Sequence, residues 1–429
     1  MKTHSYNSLK LLCRTIPFYR FFKKAESWSR DQLETFQLKK LQEITDYAYQ
    51  HVPYYRESYK KSGFLPGDIK TFDDFKKLPC LTKEILRNNP SEYFYSDENK
   101  FLNISYVRTS GSTGIPLAFA CDIDSVAAKY AITYRALFAA GYKLGDIQLI
   151  IKNFPNLKTA CSYDRILRQL YVHAYRLNKK GIEELIPLIS KHPPKHILAH
   201  PSVLLELGLY LEKNKSINLR PIGISSFAEV LYPILRKRLE ETFLCHVFDF
   251  YSNQESSLVA YEIENHEFLF GEQFSFPEIV DYQNNVLSGE LITTAFFSKA
   301  MPLIRYMNKD IVSLRKAKKD ELSCFLHLNH VDGRITERIT LPSGISIGLF
   351  SLMKADLRNV GAYQFVQTSP NSICINYIPI NESACVNEDS MRNEMLLYVG
   401  SDVQVSVKAV NSLYKNSAGK VPRTITYKE

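Results

Sequence analysis

The stretch Arg108-Thr-Ser-Gly-Ser-Thr-Gly-Ile-Pro-Leu117 lies between two short apolar runs, 104–108 and 117–121, that predict strands. Its glycines let the backbone turn its N–H groups toward an anion, because no Cβ stands in the way. Hydroxyl groups supply further donors around the same point, from Thr109, Ser110, Ser112 and Thr113. No lysine follows Gly114, so the stretch is not a P-loop of the G-x-x-x-x-G-K-[ST] type. The composition indicates a loop for a polyphosphate, and an ordinary surface loop of serines and glycines is the alternative.

The size and composition of the chain predict more than one domain. It has 429 residues, of which 45% are hydrophobic. The hydrophobic content suffices for a large core, and the length exceeds that of one compact domain. No apolar run is long enough to cross a bilayer, and the N-terminus lacks a signal-peptide pattern. The eight cysteines lie far apart without a Cys-x-x-Cys pair, which disfavours a metal clip or a disulfide framework. We therefore expect a protein of the reducing cytoplasm.

The net charge of +9 raises the question of a polyanionic partner. Nucleic-acid binding would need basic residues clustered with aromatics in a recognisable module, and the sequence has no such module. Residues 1–24 are strongly basic, contain no acidic residue and are rich in Leu and Phe. Such a segment either makes peripheral contact with an anionic membrane or packs as a helix on its own domain. Packing on its own domain is the favoured interpretation. Pro17 predicts an interruption of any single long helix here.

The hydrophobic pattern predicts a helical N-terminal segment followed by alternating strands and helices. Helical spacing covers residues 31–62, with a second helical piece after Pro53, and Thr71 and Thr82 predict caps of two short helices. A long helix is expected from Ser125 to Gly141. Strand-like runs then alternate with helices, at Gln148–Lys152, Ile197–His200, Gly223–Phe227 and Val247–Tyr251. This alternation favours an α/β domain with largely parallel sheets, followed by a β-rich section at 277–314.

From about residue 338 the pattern changes to a compact α+β unit of roughly ninety residues. Short strands over 364–368, 373–379 and 404–410 surround a helix over 388–399. We therefore predict an α/β fold with mixed and parallel sheets in a large N-terminal domain over 1–336, whose first hundred residues are helical. A small α+β C-terminal domain over 337–429 completes the prediction.

Further segments with candidate chemistry follow the hydroxyl-rich stretch in order. They are Phe227-Ala228-Glu229-Val230, Tyr251-Ser-Asn-Gln-Glu255, Met301-Pro-Leu-Ile-Arg-Tyr306 with Asp310, Gly333-Arg334-Ile-Thr-Glu337, and Ser417-Ala-Gly-Lys420. Each is weak alone, but in this order they resemble the motifs of adenylate-forming enzymes. The chain is similar, more narrowly, to the branch with phenylacetate–CoA ligase and CapK-like proteins. That branch shares the segments Val52-Pro-Tyr-Tyr-Arg56 and Leu78-Pro-Cys-Leu-Thr-Lys83.

The resemblance implies a role for each segment. The nucleotide would contact Thr109, Ser110, Gly111, Ser112, Thr113, Gly114, Ala228, Glu229, Tyr251, Gln254, Asp310 and Arg334. Among these, Asp310 and Arg334 would hold the ribose. Glu255 would bind Mg²⁺, a cation that takes one or two carboxylates together with phosphate oxygens. Lys420 would reach the α-phosphate and the substrate carboxylate, and Glu337 would be the hinge of a mobile small domain.

The implied activity is the ATP-dependent activation of a carboxylic acid as an acyl-adenylate, with release of pyrophosphate. The acyl group would pass to CoA, to a carrier pantetheine or to the amine of a sugar, in capsule or surface polysaccharide biosynthesis. A catabolic aryl- or acyl-CoA ligase and a non-catalytic nucleotide-binding relative are the alternatives. The resemblance also suggests a homodimer.

Three departures from the family pattern bear on the activity. The Thr-Gly-Asp turn becomes Asn308-Lys309-Asp310, which predicts a remodelled turn before the aspartate. The Gly and Thr that precede the glutamate become Ser252 and Gln254, and the amide of Gln254 can still donate a hydrogen bond to a phosphate. Residues 323–330 lack the cysteine cluster that would hold a structural zinc.

Overall fold

The structure, a computed structural model, describes most of the chain. The described residues are 8–100, 102, 104–108, 117–152, 154, 159–174, 177, 179–214, 219–229, 231, 233–253, 255, 257–263, 267–281, 288–315, 324–334, 338–340, 346–348, 355–357, 359–381, 383–399, 402–415, 421–422 and 424–426.

The helices are α1 (Ser8–Ala25), α2 (Arg30–His51), α3 (Pro53–Lys61), α4 (Phe72–Lys76), α5 (Lys83–Asn88), α6 (Ile123–Ala139), α7 (Lys179–Lys191), α8 (Pro201–Lys213), α9 (Pro233–Phe243) and α10 (Glu388–Val399). Two 3₁₀ turns lie at Ser91–Phe94 and Asp97–Lys100. The strands are β1 (Leu81–Thr82), β2 (Ile104–Arg108), β3 (Ala118–Asp122), β4 (Gln148–Lys152), β5 (Cys161–Asp164), β6 (Gln169–His173), β7 (His196–Ala199), β8 (Gly223–Phe227), β9 (His246–Ser252), β10 (Val259–Glu262), β11 (Phe268–Phe270), β12 (Ser275–Asp281), β13 (Ser288–Ala295), β14 (Tyr306–Leu314), β15 (His327–Arg334), β16 (Arg338–Thr340), β17 (Ser346–Gly348), β18 (Val360–Ser369), β19 (Ser372–Pro379), β20 (Gln404–Ala409) and β21 (Thr424–Thr426).

The chain packs into two compact units, each built from two segments. The first unit comprises Met1–Ala139 and Phe250–Val331, and the second comprises Ala140–Asp249 and Asp332–Glu429. The domain boundary that the sequence predicts, between residues 1–336 and 337–429, stays a prediction.

The helical start of the first unit follows local signals in the sequence. Ser29 caps α2 in a capping box with Gln32, and Thr71 and Thr82 cap α4 and α5 as predicted. The helical stretch predicted over 31–62 divides at Val52 and Pro53. A proline disfavours helical backbone at the residue before it, yet fits the first turn of the next helix.

Helix α1 continues through Pro17, so the predicted interruption is wrong. A proline inside a helix removes one backbone hydrogen bond, and here the two residues that follow Pro17 pack on aromatic rings of the same unit. The ring centroid of Phe18 lies 5.0 Å from that of Phe297, and that of Tyr19 lies 5.5 Å from that of Phe138. Helix α1 thus packs on its own unit, as the favoured interpretation of residues 1–24 has it. Among the described helices, none is long and apolar enough to span a membrane.

The sheet of the first unit is largely antiparallel. Strands β12, β13 and β14 form a meander, and β15, β11 and β10 follow in the same sheet. The short strand β1 pairs in parallel with β14, with Leu81 opposite Tyr306 and Thr82 opposite Met307. Strands β2 and β3 pair antiparallel, with Arg108 opposite Ala118. This pairing holds together the two ends of the hydroxyl-rich stretch, whose residues 109–116 lie outside the described part.

The second unit contains the alternating α/β section and the C-terminal α+β section. Strands β8, β7, β4 and β6 are parallel neighbours, and β5 pairs antiparallel with β6 at the edge. The C-terminal sheet has the order β20-β19-β18-β21, and buried Met391 and Met395 of α10 belong to its core. The predicted α/β fold class, with mixed and parallel sheets and an α+β C-terminal part, is confirmed.

Candidate active site

Much of the predicted site lies outside the described residues. These positions are Thr109, Ser110, Gly111, Ser112, Thr113, Gly114, Gln254, Glu337 and Lys420, and Arg334 is described only by its backbone in β15. The remaining predicted residues divide between the two units. Tyr251, Glu255 and Asp310 belong to the first unit, whereas Ala228 and Glu229 belong to the second.

Tyr251 and Asp310 meet through a direct hydrogen bond in the first unit. The Tyr251 hydroxyl donates to Asp310 Oδ2 at 2.6 Å, and it accepts a longer bond of 3.3 Å from Asn308 Nδ2. The Asp310 backbone N–H donates to Asn308 Oδ1 at 3.0 Å. Asn308 is 2% exposed and Asp310 is 9% exposed, so two members of the cluster are buried, and Tyr251 is half-buried. The orientation of the Asp310 carboxylate is therefore set before any ligand binds.

Asn308 is the member of this cluster that the sequence-based interpretation missed. The sequence indicates it only as a departure from the family pattern, whereas in the structure both ends of its amide form hydrogen bonds. An asparagine two residues before an aspartate is a common turn signal, because its side chain bonds to the backbone two positions on. That signal fits the bond to the Asp310 amide, while the bond to Tyr251 depends on the tertiary fold.

Lys309 adopts a left-handed backbone conformation, with φ of +67°. Glycine takes this conformation without strain, whereas a residue with a Cβ does so at a cost. The predicted remodelling therefore places a lysine in a backbone geometry that glycine favours. The Lys309 Nζ lies 2.6 Å from Glu84 Oε1. This hydrogen bond from Lys309 is the main cause that lowers the pKa of Glu84.

The segment Leu78–Lys83 acquires a structural role beside Asp310. It contains β1, which pairs with the start of β14. Lys83 Nζ donates to the Asn308 carbonyl at 3.4 Å, and the Arg305 carbonyl accepts from the Leu81 N–H at 3.0 Å. The segment thus supports the strand that carries Asn308 and Asp310.

Glu255 is a buried carboxylate, 6% exposed, at the turn after β9. The hydroxyl of Tyr306, which is fully buried, donates to Glu255 Oε1 at 3.2 Å. Within the described residues Glu255 forms no ion pair, and a buried carboxylate without a cation is costly. A carboxylate oxygen is a ligand of the kind that Mg²⁺ prefers.

The turn that carries Glu255 is closed by Asn253 and Ser257. Asn253 Oδ1 accepts from the Ser257 N–H at 3.0 Å, and Asn253 Nδ2 donates to Ser257 Oγ at 2.6 Å. Lys129 Nζ of α6 donates to the Asn253 carbonyl at 2.7 Å, and Thr293 Oγ1 donates to Ser257 Oγ at 3.0 Å. These bonds connect the residues around Glu255 to their own unit. They thereby restrict the position of Glu255 after the end of β9.

Ala228 and Glu229 follow β8 in the second unit. Ala228 has a left-handed φ of +68°, which turns the chain sharply at the end of the strand. Glu229 Oε1 accepts from the Val421 N–H at 3.0 Å, and it lies 3.9 Å from His200 Nδ1. His200 is 3% exposed, and its ring centroid lies 4.7 Å from that of Phe227. Glu229 is thus joined to the residue that directly follows Lys420 in the chain.

The described residues contain no group of three or more His, Cys, Asp or Glu side chains arranged to hold a metal. Any Mg²⁺ bound here would therefore depend on Glu255 together with phosphate oxygens of the nucleotide, which is how this cation is commonly held.

Comparison with known proteins gives a consistent result. No family model matches the chain. Protein CapK of Staphylococcus aureus is 24% identical over 410 residues, covering 91% of this chain and 88% of CapK. The phenylacetate-coenzyme A ligase of Escherichia coli (strain K12) is 29% identical over 316 residues, covering 67% of this chain and 69% of the ligase.

Among solved structures, the fold is similar to that of 2-hydroxyisobutyryl-CoA ligase in the postadenylation state in complex with R3-HIB-AMP. The TM-score is 0.75 at 19% identity, and the match covers 95% of this chain and 92% of that one. The same ligase in an open conformation with 2-HIB-AMP and CoA gives a TM-score of 0.62 at 19% identity. The two solved structures establish that the fold is shared over nearly the whole chain.

Proposed function

The chain belongs to the adenylate-forming enzymes, in the group that contains CapK and the phenylacetate–coenzyme A ligases, and we propose that it converts a carboxylic acid and ATP into an acyl-adenylate. A carboxylate oxygen attacks the α-phosphorus, the bond to the β-phosphate oxygen breaks, and pyrophosphate leaves. In the second step a nucleophile attacks the acyl carbon and releases AMP.

The hydrogen-bonded cluster of Tyr251, Asn308 and Asp310 is the observation that supports this proposal most directly. A carboxylate offers about four acceptor sites, so a hydrogen bond from Tyr251 is compatible with a grip on two ribose hydroxyls. Because the Asp310 carboxylate is already oriented, nucleotide binding loses little side-chain entropy there. The preset orientation of the carboxylate supports the proposed role of Asp310 in holding the ribose.

In this proposal Glu255 and Lys420 have separate electrostatic roles. Glu255 would hold Mg²⁺, which when bound neutralises charge on the phosphate oxygens. Lys420 would place its ammonium where charge develops during attack on the α-phosphorus, since preorganised cations stabilise such a transition state. Tyr306 keeps the Glu255 carboxylate oriented through its 3.2 Å hydrogen bond. Residues 109–114 would supply amide and hydroxyl donors to the terminal phosphates.

The acceptor is proposed to be the thiol of CoA or a pantetheine carrier, or the amine of a sugar. The structures with CoA are those of a similar ligase, which favours a thiol. The match to CapK covers 91% of this chain, against 67% for the phenylacetate–CoA ligases. The longer match favours a role in capsule or surface polysaccharide biosynthesis over a catabolic one. Incubation of the adenylate with CoA or with an amino sugar, followed by identification of the product by mass, distinguishes a thiol acceptor from an amine acceptor.

The test of the activity is pyrophosphate release from ATP and Mg²⁺ across a panel of carboxylic acids, with hydroxylamine as a trap. We expect release to depend on one class of acid and to fall at least a hundredfold in Lys420→Ala, with ATP affinity largely kept. Lys408→Ala is the matched control, because Lys408 is an exposed lysine of β20 in the C-terminal part of the chain.

One result would reject the proposed activity, and another would reject the role of Lys420. Measurable ATP binding without pyrophosphate release from any acid would favour a non-catalytic nucleotide-binding protein. Equal activity in Lys420→Ala and Lys408→Ala would remove Lys420 from the catalytic site.

A further inference from the structure

Helix α1 uses one of its faces to pack on its own unit. Phe22 and Ala25 are fully buried on that face. The ring of Phe18 packs edge-on against Phe297, with 5.0 Å between the ring centroids. This packing holds the helix in place, so a ligand on the opposite face would meet a surface that is already ordered.

The opposite side of α1, which we term the outward face, carries a row of exposed side chains. Its exposed members are Leu12, Cys13, Ile16, Arg20, Lys23 and Lys24. Leu12, Ile16 and Arg20 follow one another at intervals of four residues, which places them in one row along the helix. Leu12 is 52% exposed and Ile16 is 42% exposed. The outward face therefore has apolar side chains in its first half and cations in its second half.

The charge of α1 is positive along its whole length. The helix contains five basic residues and no acidic one, whereas the entire chain has a net charge of +9. Two acidic side chains beside the helix are each held in an ion pair: Asp124 lies 3.3 Å from Arg14, and Glu26 accepts a hydrogen bond from Arg135. Among the described residues no carboxylate pairs with the three cations of the outward face.

Basic residues at the end of a helix also have a local explanation, because cations there interact favourably with the helix dipole. That explanation covers Lys23 and Lys24, which lie in the last turn. It does not cover Arg20, which precedes that turn, and it does not cover the exposed Leu12 and Ile16. A ligand that takes apolar and cationic side chains together fits the whole outward face.

We infer that the outward face of α1 docks on a bilayer that contains anionic phospholipids. The boundary between headgroups and acyl chains accepts apolar side chains such as Leu12 and Ile16, and lipid phosphates attract the cations beside them. A second copy of this chain fits less well, because two faces of like charge repel each other. The inference goes beyond the proposed reaction and does not depend on it.

The expected binding is reversible and sensitive to salt. Each Lys or Arg near an anionic surface contributes about fivefold to the vesicle affinity, so the three cations of the outward face together contribute about a hundredfold. Ions screen this attraction, and the affinity of the wild type should therefore fall steeply between about 0.05 M and about 0.5 M NaCl.

Trp28 can report docking from a position beside α1. It is the one tryptophan of the chain and follows the end of α1, where its ring centroid lies 5.6 Å from that of Phe21. The full-length protein is titrated with phosphatidylcholine vesicles that carry a dansyl lipid, with and without about one third phosphatidylglycerol. We expect energy transfer from Trp28 to the dansyl lipid with phosphatidylglycerol and little transfer without it, and co-sedimentation with the vesicles should follow the same pattern.

A charge variant tests the cations of the outward face. It combines Arg20→Gln, Lys23→Gln and Lys24→Gln. Its matched control combines Lys60→Gln, Lys61→Gln and Lys70→Gln, which are exposed lysines and lower the net charge equally. At low salt we expect the charge variant to lose about a hundredfold in affinity for the anionic vesicles and the control to lose less than about fivefold.

An apolar variant, Leu12→Gln combined with Ile16→Gln, tests the other half of the face. We expect it to lower the affinity about tenfold, because less apolar surface enters the bilayer boundary. Its control combines Leu65→Gln and Leu144→Gln, at leucines that are 58% and 75% exposed, and should bind as the wild type does. The two α1 variants are independent, so either one tests the inference if the other fails to fold.

Four results would overturn the inference. They are an absence of wild-type binding to the anionic vesicles, equal loss of affinity in the charge variant and its control, unchanged affinity in both α1 variants, and self-association without vesicles that the apolar variant abolishes. The last result would assign the face to a second copy of the chain. Pyrophosphate release without vesicles should be the same in all four variants, because none of them alters a residue of the proposed catalytic site.

Discussion

The hydroxyl of Tyr251 lies 2.6 Å from Asp310 Oδ2, and this bond joins the end of β9 to the middle of β14. Both residues were predicted to lie at the nucleotide, and the structure brings their side chains into contact. The aspartate is 9% exposed, so its orientation depends on the protein rather than on water. The relationship makes a defined prediction about nucleotide affinity.

Tyr251→Phe removes the hydroxyl and keeps the ring. We expect the KM for ATP to rise about fivefold to tenfold with a smaller change in kcat, because the aspartate loses a charge-assisted hydrogen bond that orients it toward the ribose. Steady-state kinetics with varied ATP measures this. Tyr59→Phe is the control, since the buried Tyr59 hydroxyl has no hydrogen-bond partner among the described residues. An unchanged KM in Tyr251→Phe would remove the orienting role.

Lys309 leads to a prediction about stability. It combines a left-handed backbone conformation with a partly exposed ion pair to Glu84. Lys309→Ala and Lys309→Gly both lose the bond to Glu84, but only glycine relieves the backbone. We expect Lys309→Gly to be more stable than Lys309→Ala by about 1 kcal/mol. Urea unfolding of the two variants measures the difference. Equal stability of the two variants would mean that the turn relaxes without strain.

The sequence was most informative where a structure depends on near neighbours. Thr71 and Thr82 cap their helices as predicted, because a cap bonds to amides two or three residues away. The strand expected over 104–108 and the helix over 388–399 have the predicted bounds. Each of these signals lies within a few residues of the structure that it specifies.

Predictions failed or fell short where distant residues decide. Pro17 alone predicts an interrupted helix, but α1 continues because Phe18 and Tyr19 pack on Phe297 and Phe138. The bond of Glu229 to Val421 joins residues far apart in the chain, so no local pattern could indicate it. The motif order predicts which residues share a site, and this stays a prediction, whereas contacts such as that of Tyr251 with Asp310 required the fold.

His196 leads to a prediction about pH, because it is fully buried between two polar side chains. Its Nδ1 lies 3.1 Å from Gln148 Nε2, and its Nε2 lies 3.0 Å from Ser225 Oγ. Since the amide nitrogen of Gln148 is a donor, the network assigns the neutral tautomer with its proton on Nε2. Burial lowers the pKa of His196 from 6.5 to about 3.

The sign of the resulting pH dependence follows from proton binding. Below about pH 6.5 the unfolded chain protonates His196, whereas the folded protein keeps it neutral down to about pH 3. The unfolded state therefore binds more protons in this range, and stability is lost as the pH falls through 6.5. His196→Gln cannot titrate, so the wild type should lose about 2 kcal/mol more than this variant between pH 7 and pH 5.

Urea unfolding at pH 7, 6 and 5 measures this difference as the change in unfolding free energy of each protein. Other groups titrate over the same range, but they do so in both proteins, so the difference between the two curves isolates His196. His246→Gln is the matched substitution at a histidine whose side chain is 77% exposed. Parallel curves for the wild type and His196→Gln would mean that the folded protein accepts a proton at His196, and the buried network with Gln148 and Ser225 would then have to rearrange.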